Sequence, residues 1–114
     1  MEIMKVDDTS PIDRSMWHGA MRSIQIRICK EFKVSYIDLL SSRRDKQAVE
    51  PRHLAMWLCR KLTMASLPQI GRAFHDRHHT TIMNAIEKIE HRLKHDVYFS
   101  AQVNAIVKEL YDEH

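Results

Sequence analysis

The chain has 114 residues, of which 44% are hydrophobic and 29% charged, and this size suits one compact domain with short tails. Only two glycines and three prolines occur, which excludes collagen-like chains, Gly-rich disordered chains and large β-sandwiches and predicts an all-α domain of about five to six helices. The formal net charge is +3, yet residues 1–13 carry one lysine against four acidic residues, and residues 105–114 carry one lysine against three. The positive charge therefore lies in the middle of the chain, where it favours a polyanionic partner.

The sequence gives no sign of a membrane segment, a signal peptide or a metal site. No apolar run approaches the roughly 18 residues that span a bilayer, so we expect a soluble cytoplasmic protein without a membrane partner. Cys29 and Cys59 stand alone in helix-like segments, with no second Cys or His at zinc-finger spacing. We expect both to be reduced, buried and unreactive, and we predict no metal and no other cofactor.

The first 14 residues are polar and acidic, contain Pro11 and show no sustained period, which predicts a flexible acidic N-terminal arm. Residues 15–114 are expected to form a single domain. A helix that runs to about Lys33 opens this domain, because apolar residues recur at a spacing of four. These residues are Met16, Ala20, Ile24, Ile28 and Phe32.

A short turn or a single helical turn is predicted next, over residues 34–40, followed by a polar, basic loop over residues 41–50. Pro51 is typical of a helix start, because its missing N–H has no cost in the first turn of a helix. We therefore expect the second long helix to span about residues 51–64. Its apolar face is formed by Leu54, Ala55, Leu58 and Leu62.

The segment Ser66-Leu67-Pro68-Gln69 has the form of a capping box and predicts the start of a short helix. A tight turn is expected at His75-Asp76-Arg77. Beyond it, apolar residues spaced three and four apart predict a long helix that begins near His78 and reaches about Leu93. The last helix is expected over about residues 100–111.

A short capped helix, a three-residue turn and a longer amphipathic helix have the spacing of a helix-turn-helix. The second helix of such a pair lies in the DNA major groove and contacts base edges with its N-terminal residues. His79, Thr80 and Thr81 suit this role, because a Thr methyl can pack on a thymine methyl and a hydroxyl or imidazole can hydrogen-bond. The alternative is a plain helical corner, which small all-helical domains often contain.

At these residues the chain also resembles a known family, the DNA-binding C-terminal domain of the DnaA chromosomal replication initiator. The resemblance covers roughly residues 18–110. It is strongest in four ungapped blocks: LLSSRR (39–44), PRHLAM (51–56), SLPQIGRAF (66–74) and RHHTTI (77–82). It implies a six-helix domain in which the Arg-His-Thr-Thr helix reads the major groove of a short, asymmetric, A/T-rich box.

Carried over residue by residue, the resemblance implies three groups of DNA-contacting residues. The base-reading group contains His78, His79, Thr80, Thr81, Leu67 and Pro68. Arg44 would enter the adjacent minor groove, because an A/T-rich minor groove is narrow and strongly negative. The phosphate-binding group, which positions the domain without reading sequence, contains Arg43, Arg52, Lys61, Arg72 and Arg77.

The chain departs from the family pattern at two places. His75 and Asp76 stand at a turn where the family usually has glycines, and a positive φ there would be costly for His75 and better tolerated by Asp76. His78 stands where the family has an acidic residue. A carboxylate can only accept a hydrogen bond, whereas a neutral imidazole can accept or donate, so the preference at one base pair is expected to change or relax.

Other residues that could carry chemistry are expected to be structural. Trp17 and Trp57 should pack in the core or at its edge. His75 and His79 are not expected to bind zinc as a pair, because a turn breaks their register and no third ligand sits at motif spacing. Five methionines are expected to fill gaps in the core: Met16, Met21, Met56, Met64 and Met83. No nucleophile with its base and no phosphate-binding G-x-x-x-x-G-K-S/T loop is present, so neither enzymatic activity nor nucleotide binding is predicted.

The sequence thus predicts a stand-alone, nucleoid-associated monomer that binds double-stranded DNA at DnaA-box-like sites. It would regulate replication initiation or transcription without ATPase activity. The alternative is a protein-interaction decoy that keeps the fold and binds a DnaA regulator or the replication machinery. His75, Asp76 and His78 motivate this alternative, because they alter the turn and the reading edge.

Overall fold

The computed structural model describes the backbone of residues 14–112 and the side chains of residues 19–112. These residues form six helices and no strand: α1 (Arg14–Phe32), α2 (Tyr36–Leu40), α3 (Lys46–Leu62), α4 (Leu67–Ala73), α5 (His79–His95) and α6 (Val97–Asp112). The predicted all-α fold is confirmed. Residues 1–13 of the predicted arm, and the side chains of Met16 and Trp17, lie outside the described residues.

Helix α3 lies at the centre of the domain and contacts α1, α2, α4 and α5, while α6 packs against α5. Fully buried residues from five of the helices, or from their ends, meet around it: Ile28, Leu39, Leu58, Ile70, Phe74 and Ile82 are all 0% exposed. The apolar stripe predicted for α1 is confirmed at Ile24 and Ile28, which are buried. Because α4 and α5 both rest on α3, their relative position is set by the core.

Helix α3 begins at Lys46, which corrects the prediction that Pro51 starts it. The amides of Ala48 and Val49 donate to the carbonyl of Asp45, and Ala48 is 0% exposed. Burial of Ala48 and the helix propensity of residues 46–50 outweigh the backbone hydrogen bond that Pro51 cannot make inside the helix. The basic loop is therefore shorter than predicted, since it ends at Asp45.

Helix α6 also begins earlier than predicted, at Val97. The Asp96 carboxylate accepts a hydrogen bond from the Phe99 amide (3.0 Å), and the Asp96 carbonyl accepts one from the Ser100 amide (3.0 Å). The Phe99 amide, assisted by the neighbouring Arg92, holds the pKa of Asp96 below its usual value. This N-cap starts the helix about one turn before the apolar stripe becomes visible.

Two of the methionines predicted to lie in the core do not. Met64 is 60% exposed and Met83 41% exposed, because each lies on the solvent side of its segment, whereas Met21 and Met56 are buried as predicted. Trp57 packs at the edge of the core, in agreement with the prediction. Cys29 and Cys59 are free; Cys59 is buried, Cys29 is half-buried rather than buried, and burial raises the pKa of both thiols.

Across residues 14–112, no helix is long and apolar enough to cross a membrane.

Candidate nucleic-acid interface

Helix α4 starts with the predicted capping box. The Ser66 hydroxyl accepts a hydrogen bond from the Gln69 amide (3.2 Å), and the Gln69 side chain accepts one from the Ser66 amide (2.7 Å). At this end of the helix Pro68 is exposed, whereas Leu67 is half-buried and packs against the core. Of the two predicted base contacts in α4, Pro68 is therefore the more accessible.

The turn between α4 and α5 is closed by two consecutive residues in the left-handed region, His75 (φ 66°) and Asp76 (φ 57°). The Arg77 amide then donates to the Gly71 carbonyl (2.9 Å), which brings the turn back onto α4. The approach is so close that a Cβ on Gly71 would collide with the Arg77 carbonyl oxygen. The chain thus forms a tight turn without glycine at the two left-handed positions, at a cost in backbone strain that is greater for His75 than for Asp76.

Helix α5 begins with His78 as its N-cap residue. The Nδ1 atom of His78 accepts a hydrogen bond from the Thr80 amide (3.2 Å) and lies 2.8 Å from the Thr80 hydroxyl oxygen. The ring of His79 stacks obliquely on the ring of His78, with their centroids 4.3 Å apart. Four consecutive predicted base readers are exposed at this end of α5: His78, His79, Thr80 and Thr81. The positive end of the helix dipole adds to their attraction for a polyanion.

The basic loop after α2 lies beside the turn that precedes α5. Nη2 of Arg77 donates to the carbonyls of Leu40 (3.3 Å) and Ser41. Arg44 follows three residues after Ser41 and is exposed. The segment that carries the predicted minor-groove residue is thereby joined to the segment that starts the predicted reading helix.

The structure corrects one predicted phosphate contact, that of Arg52. This side chain is 4% exposed, and its guanidinium donates to the carbonyls of Leu39 (2.7 Å), Arg43 (2.9 Å) and Asp38 (3.1 Å). Burial lowers its pKa, and the nearby Arg77 lowers it further. Through these three hydrogen bonds, Arg52 holds α2 and the basic loop in place. The donors that it uses inside the protein are not available to a phosphate.

The remaining residues predicted to contact phosphates differ in their exposure and in the partners that they already have. Arg72 is exposed at the end of α4, and Arg77 is half-buried with Nη2 engaged as described above. Arg43 is exposed but makes ion pairs with Asp38 and Asp45, both at 2.8 Å. This pairing holds the pKa of Asp45 below its usual value. Arg43 would have to exchange these carboxylates for a phosphate.

Lys61 lies apart from this cluster. It makes an ion pair with Glu90 (3.5 Å), which lies eleven residues after His79 in α5. At 1.5 Å per residue, this contact is about 16 Å along the helix from the reading end. The contact therefore places Lys61 beside the later turns of α5, away from the reading end.

His53, a half-buried residue of α3, lies among several cations. Burial is the main reason that its pKa is lowered, and Lys88, Arg52 and Arg77 lower it further, whereas Glu50 opposes them. Three cations thus act on one imidazole near the base of the loop. A neighbourhood of this sign favours an anionic partner.

Sequence reasoning missed one residue that positions the candidate interface. Gln25 in α1 is 2% exposed; its Nε2 donates to the carbonyl of Ala73 at the end of α4 (3.0 Å), and its Oε1 accepts from the Tyr36 hydroxyl (3.0 Å). Gln25 thereby links α1, α2 and the helix-turn-helix. The available signal was its register, four residues after Met21 and three before Ile28, on the buried stripe of α1.

A metal centre finds no support among the side chains that the structure describes. No group of three or more His, Cys, Asp and Glu residues there is arranged to hold a metal ion. His75 lies in the turn and His79 in the first turn of α5, in agreement with the predicted break in register.

Comparison with known proteins shows which sequences the chain is similar to. Residues 21–89 match the family model described as bacterial dnaA protein helix-turn-helix. The chain is 43% identical over 90 residues to a chromosomal replication initiator protein DnaA of Rhodopseudomonas palustris (strain BisB5), and 42% identical over 92 residues to one of Bradyrhizobium sp. (strain ORS 278). These alignments cover 79% and 81% of the chain but only 19% of each relative, so the chain spans about a fifth of their length.

The fold is also similar to that of a solved structure described as a DNA replication initiation factor. It superposes with a TM-score of 0.80 at 33% sequence identity, over 88% of this chain and 30% of the other. The matched residues 21–89 include α2, α3, the loop between them, and the whole of α4 with the turn that follows it. On these matches, the chain belongs to the bacterial DnaA helix-turn-helix family.

Proposed function

We propose that the chain binds double-stranded DNA at DnaA-box-like sites and acts in the control of replication initiation or of transcription. The observation that carries the proposal is the exposed edge His78–Thr81 at the start of α5, joined through the bond from Arg77 to Ser41 to the loop that carries Arg44. One duplex could then meet a helix in its major groove and a guanidinium in the neighbouring minor groove. Family membership supports the same interpretation.

In this proposal, the start of α5 supplies sequence recognition. The Thr80 and Thr81 methyl groups pack against thymine methyls, and the exposed imidazoles of His78 and His79 hydrogen-bond to base edges. Pro68 and Leu67, at the start of α4, contact base methyls or backbone nearby. Base contacts of this kind discriminate among sequences, with each good contact worth about 1 to 3 kcal/mol against the wrong base.

Arg44 and the surrounding cations supply affinity and register. A guanidinium is favoured in an A/T-rich minor groove, because that groove is narrow and its negative potential is concentrated. In this proposal the exposed Arg72 and the half-buried Arg77 contact phosphates, and Arg43 does so after releasing Asp38 and Asp45. Phosphate contacts release counterions, so the affinity should fall steeply as salt rises.

The proposed role of these 114 residues is binding and not catalysis. No phosphate-binding loop for a nucleotide occurs in the sequence, so this segment would occupy sites without hydrolysing ATP. A domain of this kind can compete with other proteins for the same boxes or act as a local transcription factor. Its effect on initiation would then depend on which boxes it occupies.

The proposal is tested by fluorescence anisotropy with two labelled duplexes, one carrying a DnaA box and the other the same bases in scrambled order. Both are titrated with the protein at several salt concentrations between about 50 and 200 mM. We expect tighter binding to the box at every salt, with affinity for both duplexes falling as salt rises. Equal affinity for the two duplexes throughout would leave nonspecific attraction alone and contradict the proposal.

The protein-interaction alternative has its own measurement. The tagged protein is used to capture partners from a cell lysate, with and without nuclease. Under the proposed function, the captured material is lost when DNA is digested. A protein partner that survives digestion, together with equal affinity for the two duplexes, would favour the decoy.

A further inference from the structure

The hydrogen bonds of His78 determine where its ring carries a proton. A backbone N–H can only donate, so the contact from the Thr80 amide to Nδ1 requires an unprotonated Nδ1 with a free lone pair. A neutral imidazole that accepts at Nδ1 carries its proton on Nε2. Because His78 is exposed, this Nε2–H is available to a partner outside the protein.

The neighbours of His78 hold the ring in this state and orientation. The Thr80 hydroxyl lies 2.8 Å from the same Nδ1, and with that nitrogen unprotonated the hydroxyl and the Thr80 amide share its single lone pair. The ring of His79 packs against the ring of His78 and restricts its rotation. The start of α5 therefore presents a fixed hydrogen-bond donor at position 78.

We propose that this Nε2–H is a specificity-determining group, which rejects cytosine at one position of the DNA site. In the major groove, guanine offers O6 and N7, thymine O4 and adenine N7 as acceptors, whereas cytosine offers only the N4 amino donor. A lone donor at the groove edge finds an acceptor on guanine, thymine or adenine and opposes the amino group of cytosine. This inference rests on the proposed function, because it needs α5 to lie in the major groove.

Two substitutions with side chains of nearly equal size distinguish the role of His78 as an outward hydrogen-bond donor from its role as the N-cap of α5. Asn and Asp are equally good N-cap residues, so both His78→Asn and His78→Asp can accept from the Thr80 amide. Asn caps with its carbonyl oxygen and turns its NH₂ outward, which preserves the donor of the wild type. Asp can offer only acceptor oxygens.

The experiment is selection of binding sites from a randomised duplex library by the wild type, His78→Asn and His78→Asp, followed by sequencing. Thermal unfolding of all three proteins confirms that each is folded. We expect the wild type and His78→Asn to deplete cytosine at one shared position. We expect His78→Asp to enrich cytosine at that position and to leave the other positions unchanged.

The possible failures are distinguishable. If His78→Asp still depletes cytosine at that position, or if His78→Asn enriches it, the donor at position 78 does not select the base and the inference is wrong, while the proposed function stands. If the wild type enriches no sequence at all, the proposed function fails and the inference fails with it.

Discussion

Arg77, the residue before the N-cap of α5, donates from Nη2 to the carbonyl of Ser41, three residues before Arg44. A second arginine reinforces this connection from within, since Arg52 donates to the carbonyls of Leu39, Arg43 and Asp38. The basic loop is thus held by main-chain acceptors, and its exposed arginine is left for other contacts. Arg52 and Arg77, which bond to main-chain carbonyls, thus position Arg44, the residue that the proposed function places in DNA.

The internal role of Arg52 leads to a prediction about stability. Arg52→Met should lower the free energy of unfolding by about 2 to 4 kcal/mol, because three carbonyls lose a charged donor inside the protein. Urea denaturation followed by circular dichroism measures the change. Arg43→Met is the matched control, since it removes only exposed ion pairs and should cost much less than Arg52→Met. Equal losses in the two variants would show that Arg52 does not support the loop.

At Arg44, substitution is expected to change the affinity for DNA and not the stability of the protein. Arg44→Ala should leave the free energy of unfolding within about 0.5 kcal/mol of the wild type, because the side chain is exposed. Its affinity for a box with A/T-rich flanks should fall more than its affinity for a box with G/C-rich flanks, because only the A/T-rich groove is narrow. Anisotropy titrations with the two duplexes measure the difference. A uniform loss on both would identify Arg44 as an ordinary phosphate contact.

The two glycines provide a matched test of the turn. Gly71→Ala should destabilise the protein by about 1 to 3 kcal/mol, because its Cβ would collide with the Arg77 carbonyl and push the turn away from α4. Gly19→Ala, in α1 with nothing within 4 Å of the new Cβ, should instead stabilise the protein by about 0.5 to 1 kcal/mol. Thermal and urea unfolding measure both. If Gly71→Ala is as harmless as Gly19→Ala, the close packing of the turn on α4 is incorrect.

His53 predicts a pH dependence of stability. Its folded-state pKa is lowered, so in acid the unfolded chain takes up a proton at this site before the folded protein does. Stability should therefore fall as the pH decreases below about 6.5, the usual histidine pKa, and this loss should level off once the folded form is also protonated. His53→Gln should reduce the slope over this range in urea unfolding at a series of pH values. An unchanged slope would show that His53 does not contribute.

Features that depend on neighbours in the chain were predictable from sequence. The capping box of Ser66 and Gln69 needs only a spacing of three residues, and the apolar residues of α5 repeat often enough to mark its buried face. The positive φ values at His75 and Asp76 were anticipated only as a possible cost, because the family has glycines there.

Features that depend on distant parts of the chain were not predictable. In the sequence, Arg52 looks like a surface arginine, because the carbonyls that accept its hydrogen bonds belong to residues 9 to 14 positions earlier. Pro51 suggested a helix start by a local rule, and the burial of Ala48 overrode that rule. Gln25 gave no signal beyond its register, because its partners belong to α2 and the end of α4.

Under the proposed function, the start of α5 and the loop containing Arg44 meet one duplex at the same time. This can be measured by titrating ¹⁵N-labelled protein with a box duplex and following its amide NMR signals. The largest changes should fall together on residues 42–45, 67–69 and 78–82, with little change along α6. Changes concentrated on α6, with residues 42–45 and 78–82 unaffected, would contradict it.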